Sequence, residues 1–146
     1  MKIALASDHA GFELKEAIKE FLKEHDITDY GTFSETSMDY PDTGLAAAKA
    51  VAEGICECGI LICGSGIGMS IVANKVPGIR AALCHTVQCA QLSRRHNNAN
   101  ILVLAGRFIA RQLAGDIIQA WLATEYEDGR HQNRIDKINK YERSRK

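Results

Sequence analysis

The chain has 146 residues, 46% hydrophobic and 25% charged, with 18 acidic and 18 basic side chains in balance. That is one domain's length with enough apolar material for a real core, and no apolar run approaches the ~18 residues a membrane span needs. The start, Met-Lys-Ile-Ala-Leu-Ala-Ser-Asp, is acidic by its eighth residue and does not read as a signal peptide, so the cytoplasm is the expected location.

In chain order, Lys2 to Ser7 is a first strand, with Asp8-His9-Ala10-Gly11 at its carboxyl end. Leu14, Ala17, Ile18, Phe21 and Leu22 fall at helical spacing and predict an amphipathic helix. Ile27 to Tyr30 is a weak second strand, followed by a polar loop over 31–39 and by Tyr40-Pro41-Asp42-Thr43. Thr43 or Asp42 caps a helix to about Glu53, with Leu45, Ala48, Val51 and Ala52 expected inward. The run Ile60-Leu61-Ile62 suits a strand buried on both faces. Cys63 ends it, Gly64, Gly66 and Gly68 permit a tight turn, and residues 67–74 read as a helix.

Pro77-Gly78 is a turn, Ala81 to Cys84 a fourth strand, and Val87 to about Arg95 a helix with a basic end. Ile101 to Ala105 is a fifth strand, closed by Gly106-Arg107. Ile109 to Ala123 is a helix with Leu113, Ile117, Ala120 and Trp121 on one side. A link over 126–131 leads to a polar helical tail from Gln132. Strands alternating with helices predict an α/β protein of one domain, a doubly wound, Rossmann-like, five-stranded parallel sheet. Ligands of such sheets sit outside the carboxyl ends of the strands. Asp8, His9, Tyr40 and the turn from Cys63 to Gly68 all fall on that edge.

Five cysteines, at 56, 58, 63, 84 and 89, are an odd number without a secretory signal. All but Cys63 are expected as buried, reduced thiols, and Cys56-x-Cys58 lacks a second pair at zinc-ligand spacing. Residues 130 to 146 hold seven Arg or Lys against Asp136 and Glu142. With no stacking aromatics or nucleic-acid motif beside them, they suit a solvated helix or a grip on a small phosphate.

The glycine turn fits none of three familiar phosphate loops. Gly64-x-Gly66-x-Gly68 has the wrong spacing for a dinucleotide fingerprint, and no Lys-Ser/Thr pair closes a nucleotide loop. A cysteine phosphatase loop needs arginine where this chain has Met69. What remains is a thiol beside a cradle of amides, with no metal or cofactor motif. A thiolate is stabilised at a helix N-terminus, where it could remove a carbon-bound proton while amides hold the developing enolate oxygen.

At this point the chain resembles the B-type ribose-5-phosphate isomerases, in the wider family that includes galactose-6-phosphate and allose-6-phosphate isomerases. The matching pieces are Ser7-Asp8-His9-Ala10-Gly11-Phe12, Asp39-Tyr40-Pro41, Ile62-Cys63-Gly64-Ser65-Gly66-Ile67-Gly68 and Asn74-Lys75-Val76-Pro77-Gly78-Ile79-Arg80. They continue in Ser93-Arg94-Arg95-His96-Asn97-Asn98-Ala99-Asn100 and Gly129-Arg130-His131-Gln132-Asn133-Arg134, covering nearly the whole chain.

The resemblance implies an isomerase of the pentose phosphate pathway that needs no cofactor or metal and binds a sugar phosphate, not nucleic acid or membrane. Cys63 would move a proton between C2 and C1 through an enediol, and His96 would open the furanose ring. Asp8 and Tyr40 would contact sugar hydroxyls, while Ser65 and the amides of Gly64, Gly66, Ile67, Gly68 and Met69 would stabilise the enediolate. His9, Arg107, Arg130 and Arg134 would hold the phosphate, with Asn97 near the reacting end. One branch of the family carries a glutamate at the position of Met69, which here cannot accept a proton. Each residue also has a plainer use: Asp8 and His9 as helix caps, Tyr40 in packing, His96 as a helix-end charge, Arg130 and Arg134 as solvated residues. His25, His85 and His131 read as structural or surface residues. A hexose 6-phosphate isomerase and a non-catalytic sugar-phosphate sensor are the alternatives.

Geometry adds one expectation. Cys63 ends its strand, whereas His96 precedes the strand at Ile101, and a five-residue strand spans roughly 17 Å. Both residues can serve one sugar only if His96 comes from a second subunit. A homodimer, or a dimer of such dimers, with sites at the subunit interface is expected.

Overall fold

Alternation within β1 (Lys2–Ser7) dictates the architecture. Ile3 and Leu5 face one side of the sheet, Ala4 and Ala6 the other, and none of the four is exposed. A strand apolar on both faces requires helices above and below it. The computed structural model describes residues 1–145, so Lys146, the last residue of the expected tail helix, lies outside them. β2 (Asp26–Asp29), β3 (Cys58–Cys63), β4 (Ala81–Leu83) and β5 (Ile101–Ala105) complete a five-stranded sheet in the order β2-β1-β3-β5-β4, parallel throughout. The expected doubly wound α/β fold is present. The chain winds outward in opposite directions from the β1–β3 pair, which is therefore the switch point.

One core layer joins Ile3, Leu5, Ile60, Ile62, Leu102 and Leu104 to α1 (Phe12–Ile18), α4 (Val87–Asn97) and α5 (Arg111–Ala123). The other joins Ala4, Ala6, Leu61, Cys63 and Val103 to α2 (Tyr40–Ala52) and α3 (Ile67–Ala73). Each fully buried aliphatic side chain contributes about 1.5–3 kcal/mol. Trp121 ties two helices together: it is buried on α5, and its indole N–H donates to Ser93 Oγ of α4 at 3.2 Å. α6 (Arg130–Ser144) follows and buries His131 and Ile135.

Several sequence expectations need correction. The first helix ends at Ile18 and closes in a 3-10 turn, Lys19–Leu22, a common way to satisfy the last carbonyls. Its buried face includes Lys15, which helical periodicity of apolar residues could not reveal. Lys15 is paired with Asp29, to which its Nζ donates at 2.6 and 2.7 Å. α2 begins earlier than expected, at Tyr40, with Asp39 in the N-cap position and Pro41 in the first turn. The hydroxyl of Thr43 is not a cap; it donates to the carbonyl of Ser7 at 2.9 Å and pins α2 to the end of β1. Ala52 is exposed, and Leu113 is also turned outward, because the buried stripe of α5 runs through Ala114, Gly115, Ile117, Ile118 and Trp121. The last helix starts at Arg130 rather than Gln132. All five cysteines are free; Cys56, Cys58 and Cys84 are buried as expected, Cys63 is buried as well, and Cys89 is exposed on the first turn of α4.

Candidate active site

Three turns meet at the carboxyl edge of β1, β3 and β5, each held by a backbone bond to its neighbour. The Asp8 N–H donates to Ile62 O at 3.2 Å, Gly106 N–H to Cys63 O at 2.8 Å, and Arg107 N–H to Gly64 O at 3.0 Å. The register pairs Ser7 with Ile62 and Cys63 with Ala105, so Asp8, Cys63 and Arg107 emerge side by side. They open onto a cavity of about 370 Å³ lined by Asp8, His9, Tyr40, Cys63, Gly64, Ser65, Gly68 and Arg107, together with Ala10 and Phe108. That volume lies at the small end of the ~300–1,000 Å³ range for ligand sites, which suits a single sugar phosphate better than a dinucleotide.

Glycine is required twice in the turn after Cys63. Gly66 has φ +76°, and a Cβ there would lie 2.4 Å from Leu83 Cδ1. A Cβ on Gly68 would lie 2.7–2.9 Å from three ring atoms of Tyr40, so the tyrosine packs directly on bare backbone. The first α-helical bond of α3 runs from Ser70 N–H to Gly66 O. Ser65 Oγ accepts from Ile67 N–H at 3.2 Å, leaving the Gly68 and Met69 amides ahead of that first bond, where helix donors lack intrahelical partners. Met69 itself is buried, its sulfur packed against Gly44, so its side chain does not reach the cavity. Ile67 is exposed.

Two polar residues are oriented by their neighbours. Asp8 is buried and its Oδ1 accepts from Gly11 N–H at 2.9 Å, which closes the turn before α1 rather than capping that helix, whose N-cap position is Gly11; Asp8 also lines the cavity. His9 Nδ1 accepts from Met38 N–H at 3.2 Å, which assigns the ring proton of neutral His9 to Nε2. Among the other cysteines, burial pushes the Cys58 thiol up to about 12 and Cys84 to about 11, so both stay protonated at neutral pH.

The remaining candidates lie elsewhere. His96 and Asn97 end α4, and the Asn98 N–H and Ala99 N–H bonds back to Arg94 O and Ser93 O place them at the amino edge of β5. Neither lines the cavity around Cys63. Arg130 and Arg134 sit one turn apart at the start of α6, with Arg134 Nη1 donating to Arg130 O at 3.4 Å. The His96 ring stacks on His131, centroids 4.3 Å apart and planes within 13°. Burial lowers the pKa of His131, and the proximity of His96, Arg130 and Arg134 lowers it further. The end of α4 is braced by Arg94, whose guanidinium donates to Ala99 O, Asn98 Oδ1 and Thr124 O and lies 5.3 Å from the Trp121 ring centroid.

Sequence reasoning missed Phe108 on the cavity wall, although an exposed aromatic directly after Gly106-Arg107 was the available signal. It also missed the association of His131 with His96, which depends on where α6 returns to the sheet.

Fold and site together define a doubly wound α/β protein that gathers a thiol, helix-start amides and an arginine around a small cavity at its switch point. The chain belongs to the ribose/galactose isomerase family, whose model matches residues 3–138. It is 47% identical over 146 residues to ribose-5-phosphate isomerase B of Escherichia coli, covering 99% of this chain and 98% of that one. A solved structure of ribose-5-phosphate isomerase B from Clostridium thermocellum is 49% identical and superposes over the full length of both chains with a TM-score of 0.98. The enzyme of that name from Mycoplasma genitalium, solved with bound ribulose-5-phosphate, is 42% identical with a TM-score of 0.93, over 97% of this chain and 96% of that one. No described helix is long and apolar enough to cross a membrane.

Proposed function

We propose that this protein interconverts ribose 5-phosphate and ribulose 5-phosphate through an enediol, as a homodimer whose sites lie between subunits. The observation that carries the reading is Cys63 at the cavity wall, flanked by Asp8, Tyr40, the Gly64–Gly68 turn and Arg107. Asp8 and Tyr40 bind sugar hydroxyls. Cys63, as the thiolate, takes the proton from C2 of the open-chain aldose and returns it to C1, while the hydroxyl proton passes from O2 to O1. Ser65 and the amides of the turn hold the oxygen on which charge develops. His96, contributed by the second subunit, moves the proton that opens the furanose ring, with Asn97 beside it. His9, Arg107, Arg130 and Arg134 hold the phosphate, whose charge suits the guanidinium fork.

The distribution of these groups supports the dimer. The cavity around Cys63 has two candidate phosphate-binding groups, His9 and Arg107, while Arg130, Arg134 and His96 stand together at another edge. Two copies related by a two-fold axis bring the halves together twice.

The test is steady-state turnover of ribose 5-phosphate, with allose 6-phosphate and galactose 6-phosphate in parallel, for the wild type and Cys63→Ser. Ketose forms fastest from the pentose, and the serine protein binds substrate but loses most turnover, because a serine alkoxide is far harder to form than a thiolate. Saturable binding with no turnover of any sugar would make the protein a sensor. Full activity in Cys63→Ser would remove the thiol from the reaction.

A further inference from the structure

Three metal-binding side chains converge at the end of α4, away from the cavity around Cys63. His96 Nε2 lies 3.9 Å from a carboxylate oxygen of Glu127, His131 stacks on His96, and one ligand atom from each lies within 4.8 Å of the others. The backbone holds the segments in place: Glu127 N–H donates to Arg95 O at 3.1 Å, and His131 N–H to Asp128 O at 3.2 Å. The arrangement therefore does not depend on the surface side chains alone.

We infer that His96, Glu127 and His131 form a site for a zinc-class divalent metal ion, and that its occupancy switches off ring opening by His96. The donor set, two imidazoles and one carboxylate, is that of open zinc sites with three protein ligands and a free fourth position. Calcium and magnesium prefer oxygen ligands and are disfavoured by two imidazoles. In a tetrahedral site with metal–ligand bonds near 2.1 Å, neighbouring ligand atoms are about 3.4 Å apart. The donors must close by at most roughly 1.4 Å, and the stacked rings must tilt so that both lone pairs meet. His131 is buried and serves as the fixed ligand, whereas His96 is partly exposed and Glu127 more so, leaving both free to turn. Once its nitrogen is bound to a metal, His96 has no lone pair there for proton transfer. The inhibitory half of this inference rests on the ring-opening role proposed for His96; the metal site itself does not.

The experiment uses the full-length protein, titrated with Zn²⁺ by calorimetry and with Co²⁺ as a spectroscopic probe. Glu127→Gln is the principal variant because its side chain is exposed, and His131→Asn is the second. The expected result is one ion per chain, removable by a chelator, with affinity at least tenfold weaker in either variant. Bound Co²⁺ should show visible ligand-field bands without the intense near-ultraviolet absorption of a thiolate ligand. Zn²⁺ should inhibit ribose 5-phosphate isomerisation in the wild type and at least tenfold less potently in Glu127→Gln. Absence of binding, equal affinity in all three proteins, or a thiolate band that disappears in Cys63→Ser would overturn the site while leaving the role of His96 untouched. Binding with the predicted variant dependence but no inhibition would keep the site, overturn the inhibition, and count against His96 as the ring-opening group.

Discussion

Mixing two inactive variants tests the divided site directly. Cys63 pairs in register with Ala105 at one end of β5, and His96 precedes Ile101 at the other. Four strand steps separate Ile101 from Ala105, about 13 Å, whereas proton transfer needs heavy atoms within about 3 Å or one bridging water. A side chain cannot close that gap within one chain. Cys63→Ser and His96→Asn, each nearly inactive alone, are mixed in equal amounts under conditions that exchange subunits. Random pairing makes half the dimers mixed. Each mixed dimer has one intact site and one doubly damaged site, so about a quarter of wild-type activity returns. The assay is ketose formation, with native mass spectrometry of differently tagged chains confirming exchange. Proven mixed dimers with no recovered activity would place both residues in one chain and refute the argument.

Three further outcomes are expected. Arg134→Ala raises KM by about tenfold, the loss of a charge-assisted hydrogen bond made alike in ground and transition states, with a smaller effect on kcat; an unchanged KM would put Arg134 on a solvated face. Gly68→Ala places a methyl group within 2.9 Å of the Tyr40 ring, so kcat/KM falls about 100-fold through displaced substrate contacts, while urea midpoints of the two proteins should differ little. Asp29→Asn leaves the buried Lys15 with only the Glu16 carboxylate, at 3.3 Å, as an ionic partner, and costs about 1.5–3 kcal/mol in urea unfolding. Burial raises the pKa of Asp29, but hydrogen bonds from Lys15 and Lys19 outweigh it and hold the carboxyl below its ordinary 3.8. Its stabilisation is therefore complete above about pH 4 and lost as pH falls through the lower folded value, so the variant's stability should vary less with pH over that interval.

The sheet was legible because four of its strands are short apolar runs ended by glycine or polar turns, β2 (Asp-Ile-Thr-Asp) being the weak exception, and the helices between them repeat at 3.6 residues. Where the reading slipped, a tertiary contact had decided the matter. Thr43 looks like a cap in sequence, yet the end of β1 claims its hydroxyl. Leu113 looks like core, but α5 packs with Gly115 against Phe21 and Trp121 inward, which turns Leu113 outward. Lys15 can be buried because Asp29 is brought to it from the next strand, a pairing no local pattern encodes. At the site, the thiol and glycine turn declared themselves through local chemistry. The His96–Glu127–His131 cluster did not, since its members come from α4, a loop and α6 and meet only when the chain has folded.

The brace around Arg94 has a consequence for timing. Helix ends ordinarily fray, and a residue on the last turn samples many directions. Here the guanidinium takes up the carbonyls of Ala99 and Thr124 and lies near Trp121, so the terminal turn that carries His96 is anchored to the core at several points. Under the ring-opening role proposed for His96, the disorder such an imidazole would otherwise surrender at every encounter with a sugar is surrendered once, when the chain folds. Amide hydrogen exchange over residues 95–99 should accordingly be slow for a helix terminus. Weakening the anchor should make that exchange faster and, on the role proposed for His96, lower turnover.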